Sequence, residues 1–143
     1  MLLHMRYSPM LISLPVADRV RAHAFYRDAL GLEAIGELAD DGVPEPLMFV
    51  LNATTLLMLI PSGGFGWVIG THEVAPFGTS ECVLGITVAS DPAVEEIVQQ
   101  ARAAGATLAS EPAPQPWGYA AAFADLDGHV WTVTSATLPA VTD

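Results

Sequence analysis

The sequence predicts an α+β fold built from two similar halves, each a strand, a helix and then further strands. Three observations carry this. Leu14-Pro15-Val16-Ala17-Asp18, a helical stretch and Leu30-Gly31 are echoed by Ile86-Thr87-Val88-Ala89-Ser90, a second helical stretch and Ala104-Gly105, a weak internal repeat. Both helical stretches carry apolar residues at helical spacing, and the segments around them are apolar runs of strand length. Ala121 to Val133 reads as strand, tight turn and strand, with Asp127-Gly128 as a strong hairpin turn signal.

The elements follow in order. Met10 to Val16 is a strand whose late Pro15 marks a strand end or a sheet edge. Asp18 is an N-cap, and Ala22, Phe25, Tyr26, Ala29 and Leu30 form the apolar stripe of the first helix, with Arg19, His23 and Arg27 on its polar side. Gly31 ends it. Leu32 to Leu38 is a strand, followed by the acidic turn Asp40-Asp41-Gly42. Leu47 to Leu51 and Thr55 to Ile60 make a hairpin around Asn52 to Thr54. Pro61 to Gly78 is rich in glycine and aromatic residues and reads as a mobile connection partly covering something. Cys82 to Val88 is a strand. Asp91-Pro92 caps and opens the second helix, with Val94, Ile97, Val98, Ala101 and Ala104 as its stripe. Ala106 to Ser110 is a strand, Glu111 to Pro116 a proline-rich loop, and the closing hairpin follows. The expected organisation is one domain over 1–143, with modules at about 9–61 and 82–135 joined by the loop 61–80.

Composition narrows the function. The chain has 143 residues, 52% of them hydrophobic, and a formal net charge of −11. It contains no lysine, and its five arginines are Arg6, Arg19, Arg21, Arg27 and Arg102. This balance argues against nucleic acid and anionic membrane surfaces as partners, and it permits a cationic ligand. Cys82 is alone, so neither a disulfide framework nor a multi-cysteine zinc site is expected. Nothing reads as a signal peptide, and the longest apolar run, Leu47 to Ile60, is too short to span a bilayer. The expectation is a cytoplasmic protein.

The closing hairpin, Asp125-Leu126-Asp127-Gly128-His129 followed by Val130, Trp131 and Thr132, resembles that of the vicinal oxygen chelate superfamily, which includes glyoxalase I, extradiol dioxygenases and bleomycin-resistance proteins. Leu14-Pro15-Val16-x-Asp18, Phe25-Tyr26 and Leu30-Gly31-Leu32 extend the resemblance, which covers about residues 10 to 134. It implies two βαβββ modules forming a curved, cup-like sheet. In the enzymes of the family a divalent metal sits in the cup, held by two histidines, a carboxylate or equivalent, and a final glutamate. Carried over residue by residue, these positions fall on Leu11, Met58, Val83 and Thr132. Apolar side chains do not replace a metal's hydration, so neither a metal nor another cofactor is expected.

Other candidates have plain structural readings. His23 reads as a solvated helix residue, His129 as making a structural hydrogen bond rather than ligating, and Asp125 and Asp127 as carboxylates capping local N–H groups, with a metal trio of these two and His129 as the weaker alternative. Cys82 reads as a small buried hydrophobe rather than a nucleophile. His72 and Glu73 lie in the long loop with a role left open, and His4 is uninformative. Gly63-Gly64-Phe65-Gly66 lacks the lysine of a phosphate-binding loop.

By alternation, Leu11 and Ser13, Leu56, Met58 and Ile60, Val83, Gly85 and Thr87, and Val130, Thr132 and Thr134 line the inner side of the cup. Trp67, Phe65, Trp117 and Tyr119 would stand at its rim. The candidate cavity is therefore Leu11, Ser13, Met58, Val83, Thr132, Trp67, Trp117 and Tyr119. Such a lining suits a small organic ligand held by packing and a few hydrogen bonds. The first reading is a metal-independent small-molecule-binding protein, of the drug-sequestering kind that the resemblance suggests, with a cationic ligand permitted. The alternative is a lyase, isomerase or dioxygenase with an atypical metal site or metal-free chemistry. A third is a cup filled by its own side chains. A homodimer is expected under all three, because this family pairs modules across subunits and leaves sheet edges that need covering.

Overall fold

A computed structural model describes residues 7–136. The first half contains β1 (Met10–Val16), α1 (Arg19–Leu30), β2 (Ala34–Ile35), β3 (Leu47–Asn52) and β4 (Thr55–Pro61), and a short helix α2 (Ser62–Val68) leads away from it. The second contains β5 (Val83–Thr87), α3 (Asp91–Ala103), β6 (Thr107–Gln115), β7 (Gly118–Ala124) and β8 (Val130–Ser135). The sheets run β1-β4-β3-β2 and β5-β8-β7-β6. In each, the first strand pairs parallel with the last and the other pairs are antiparallel. The internal repeat is thus a repeat of topology, and the α+β class is as the sequence predicts. No helix among the described residues is long and apolar enough to cross a membrane.

Local signals explain most element ends. Asp18 accepts a hydrogen bond from Arg21 N, and Gly31, at φ +66°, closes α1 in the left-handed conformation that glycine adopts without strain. The β3–β4 turn is held by Asn52 Oδ1, which accepts from Thr54 N at 2.9 Å. The cap of α3 lies one residue earlier than expected: Ser90 accepts from Ala93 N, placing Asp91 and Pro92 in the first turn.

Three other segments differ from the sequence reading. The expected strand Leu32 to Leu38 shrinks to Ala34–Ile35, because Gly36 turns the chain at φ +105°. The proline-rich loop Glu111 to Pro116 is largely strand, since β6 runs on to Gln115. Pro112 and Pro114 are tolerated there because β6 is an edge strand with irregular register against β7. The connection after Pro61 begins as α2, which its three glycines hid from a propensity reading.

One buried cluster joins both halves. Leu14, Val16, Phe49, Leu57 and Leu59 of the first sheet meet Ala121, Phe123, Trp131 and Val133 of the second, through Phe25, Tyr26 and Ala29 of α1 and Val94, Val98 and Ala101 of α3. The Tyr26 ring lies 5.9 Å from Phe49 and 5.8 Å from Trp131, so α1 packs between the sheets. Arg19, expected on a solvated helix face, instead packs under the loop between β2 and β3, where it pairs with Asp41 and with Glu45. His23 stacks on Phe49 rather than standing in solvent, and desolvation lowers its pKa.

At the centre is a small polar network. Tyr26 Oη donates to Asp125 Oδ2 and accepts from Trp131 Nε1 at 3.0 Å. Asp125 Oδ1 accepts from Asp127 N at 2.9 Å and His129 N at 2.8 Å. The turn-capping role read for Asp125 is therefore real, but its other oxygen bonds the opposite half. Tyr26→Phe leaves Asp125 Oδ2 without its donor and Trp131 Nε1 without its acceptor, an expected loss of about 1–3 kcal/mol in chemical denaturation. Burial raises the Asp125 carboxyl above its ordinary 3.8, against the opposing effect of the Tyr26 hydrogen bond. Its folded-state pKa exceeds the unfolded one, so its contribution is full at low pH and declines as pH climbs through the raised value. The stability advantage of the native chain over Asp125→Asn should therefore shrink as pH rises above the ordinary carboxyl range. Urea midpoints that diverge with rising pH would contradict this.

Candidate ligand-binding site

Strand alternation gives each sheet a second face, directed away from the helices. On the first sheet this face carries Leu11, Ser13, Met48, Val50, Leu56 and Met58, with Ser13 paired to Met58 and Leu11 to Leu56. On the second it carries Val83, Gly85, Thr87, Val130, Thr132 and Thr134, with Gly85 paired to Thr132. One wall is bulky and apolar; the other is small and rich in hydroxyls. A Cβ on Gly85 would stand 3.1 Å from Thr132 Oγ1, so the bare glycine is what leaves that hydroxyl room.

Leu11, Ser13 and Met58 thus come together on one wall, and Val83 and Thr132 on the other. The two walls do not meet within one chain, because the helices occupy the space between the sheets. Val83 is 55% exposed and Leu11 45% exposed. Trp67 lies on α2 and Trp117 in the β6–β7 turn, both largely open to solvent. Tyr119, expected at the rim, is on the opposite face: it lies on the same side of β7 as the buried Ala121 and Phe123, and its hydroxyl reaches Glu95 of α3 at 3.4 Å. Desolvation and the Glu95 carboxylate raise its pKa.

The residues at the carried-over ligand positions do not fit a divalent metal. Leu11, Met58 and Val83 offer no nitrogen or oxygen, and Thr132 offers a hydroxyl. Among the described residues, no group of three or more His, Cys, Asp or Glu is placed to hold a metal ion.

A cavity of about 550 Å³ lies elsewhere, where the two halves and their connection meet. Ser13, Leu14 and Pro15 of β1 form one side. Leu84 and the turn from Asp127 to Val130 form another, and the connection closes it with Phe65, Ile69, His72, Glu73 and the run Thr79 to Cys82. The volume is that of a pocket for a small organic molecule. Two hydrogen bonds set the walls. His129 Nε2 is 2.7 Å from Pro15 O, and because a carbonyl only accepts, that nitrogen carries the proton. Asp127 Oδ1 accepts from Ala17 N at 2.8 Å.

Of the eight candidate cavity residues only Ser13 lines this space, together with Phe65 and Val130, which the sequence placed at the rim and on the inner face. His72 and Glu73, whose role the sequence left open, do line it, as does Glu81. Cys82, read as buried, is exposed, because the chain has not yet entered β5 at that point. The usable signal was the connection itself, which must bridge the end of β4 and the start of β5 and carries aromatic and ionisable residues.

Comparison with known proteins places this arrangement. The profile of the Glyoxalase/Bleomycin resistance protein/Dioxygenase superfamily matches residues 10–133. The chain belongs to this superfamily. No curated protein matches it. Among solved structures it resembles hypothetical protein SA1046 from S. aureus, with TM-score 0.77 and 23% identity over 94% of this chain and 98% of that one. It also resembles a glyoxalase/bleomycin resistance protein/dioxygenase family enzyme from Burkholderia phytofirmans PsJN, with TM-score 0.74 and 19% identity over 92% and 100%. TnmS3, an antibiotic binding protein from Streptomyces sp. CB03234, shares the fold at TM-score 0.63 and 24% identity over 94% and 100%. These likenesses establish the glyoxalase/bleomycin-resistance fold.

The position of Cys82 has a direct check. In the native superfamily protein its thiol should react with a maleimide at a rate within about three-fold of the urea-unfolded chain. Protection by more than a hundred-fold would mean that the wall of the cavity is closed over it.

Proposed function

We propose that the protein binds a small organic ligand without a metal, as a sequestering member of the superfamily rather than as one of its metalloenzymes. The cavity between the halves carries this reading: it has ligand size, and its lining combines apolar side chains with polar and ionisable ones. The side chains at Leu11, Met58, Val83 and Thr132 support it from the other direction, since they leave no donor set for the superfamily's metal chemistry. The fold shared with TnmS3, described as an antibiotic binding protein, agrees with sequestration.

A homodimer belongs to the same reading. The apolar wall of the first sheet and the hydroxyl-rich wall of the second face away from each other in one chain. A second copy brings the first wall of one subunit against the second wall of the other, covering Leu11 and Val83 and the edge strands β1 and β5. Leu11, Ser13, Met58, Val83 and Thr132 would then line a shared cup, with Trp67 and Trp117 at its margins. The protein would act in the cytoplasm, on a ligand already free in solution.

Native mass spectrometry of freshly purified protein, without chelator, tests this. The expected result is a dimer that carries organic mass and no stoichiometric metal, with Ser13→Trp, which fills the cavity from β1, losing the adduct. Dialysis against a chelator should leave ligand affinity unchanged. One divalent metal per chain at full occupancy would overturn the proposal.

A further inference from the structure

The charge of the cavity says more about its occupant than the fold does. Three carboxylates line it: Glu73 and Glu81 from the connection, and Asp127 from the closing turn. No arginine among the described residues lines it, and the chain has no lysine. The arginines whose partners the structure shows are engaged elsewhere, Arg19 with Asp41 and Glu45, Arg27 with Asp28, and Arg102 with Glu111. Among the described residues, Glu73 and Glu81 form no ion pair. Asp127 spends one oxygen on Ala17 N, which fixes the carboxylate in place and leaves the other oxygen free of a protein donor among the hydrogen bonds described. The remaining ionisable groups of the lining include His72 and His129, and the His129 Nε2 proton is committed to Pro15 O.

Three like charges around a space whose lining also includes Leu14, Pro15, Phe65, Ile69, Leu84 and Val130 repel one another, and these apolar parts of the wall focus their field. An anion would add to that repulsion. A neutral body would satisfy the apolar walls and leave the carboxylates to water. A cation on an apolar body satisfies both. Phe65 adds an aromatic side chain to the same lining, and aromatic rings attract positive groups.

Resting on the ligand-binding reading above, we infer that the cavity selects organic cations: an aromatic or aliphatic body bearing a protonated amine or quaternary ammonium, bound within one chain and held by Glu73, Glu81 and Asp127. This differs from the shared cup, whose walls carry no carboxylate. The charges are partly exposed, so each contributes modestly and the preference weakens with salt.

A matched series of one body and three charges tests it by calorimetry: naphthylmethylamine, naphthalenemethanol and naphthoate. The amine should bind at least about ten-fold more tightly than the alcohol, and naphthoate more weakly than either. Glu73→Gln with Glu81→Gln, both on the exposed connection, should lower the amine's affinity about ten-fold and leave the alcohol's unchanged. Asp127→Asn, which keeps an oxygen for Ala17 N, should lower it further. Equal affinities across the series that Ser13→Trp abolishes together would overturn the cation selectivity while leaving the binding reading intact. Amine binding that the glutamine pair does not reduce would overturn the assignment to this cavity, whatever Ser13→Trp does. Absence of saturable binding by all three would overturn both.

Discussion

The orientation of the two halves rests on the hydrogen bonds that Tyr26 Oη makes with Asp125 and Trp131. Asp125 is the buried polar residue of the described core, and burying a carboxylate is costly unless both of its oxygens find donors. Its donors come from both halves: Tyr26 from α1, and the backbone of its own turn. The bond geometry therefore specifies where α1 lies on the second sheet, in a way that packing of Phe25, Phe49 and Phe123 alone would not. Tyr26 stays a neutral donor because burial and the neighbouring carboxylate push its pKa well above the ordinary value.

Two consequences follow for ligand binding. With the helices held between the sheets, the faces bearing Leu11 and Met58 and those bearing Val83 and Thr132 turn outward and apart. The proposed shared cup would need two copies, whereas the cavity beside Pro15 and His129 lies within one. The same closing turn builds both: Asp125 faces the core, while Asp127 and His129 fasten the end of β1 at Ala17 and Pro15. Moving the turn would disturb core and cavity together. The two kinds of site also differ in chemistry. The cup walls are apolar on one side and hydroxyl-lined on the other, suited to a flat uncharged surface. The cavity combines apolar walls with unneutralised carboxylates.

The sequence by itself determined the twofold strand–helix–strands order, the caps at Asp18 and Gly31, the β3–β4 and β7–β8 turns, and the alternation that puts Leu14, Leu57 and Trp131 on one face and Ser13, Met58 and Thr132 on the other. These are local properties, set by side-chain period and backbone conformation within a few residues. Residue identity alone also gives Leu11, Met58 and Val83, at three of the ligand positions that the resemblance implies, no nitrogen or oxygen donor. Only the tertiary structure decided which faces meet. Nothing near Asp125 in the sequence reveals that one of its oxygens bonds a tyrosine ninety-nine positions away, and nothing near Tyr119 shows that it faces α3. The prolines of β6 looked like a loop until the strand's place at a sheet edge removed their cost. The cavity was least legible of all. Its walls come from three separate stretches of chain, and long-range packing alone brings Ser13, Glu73 and His129 around one space.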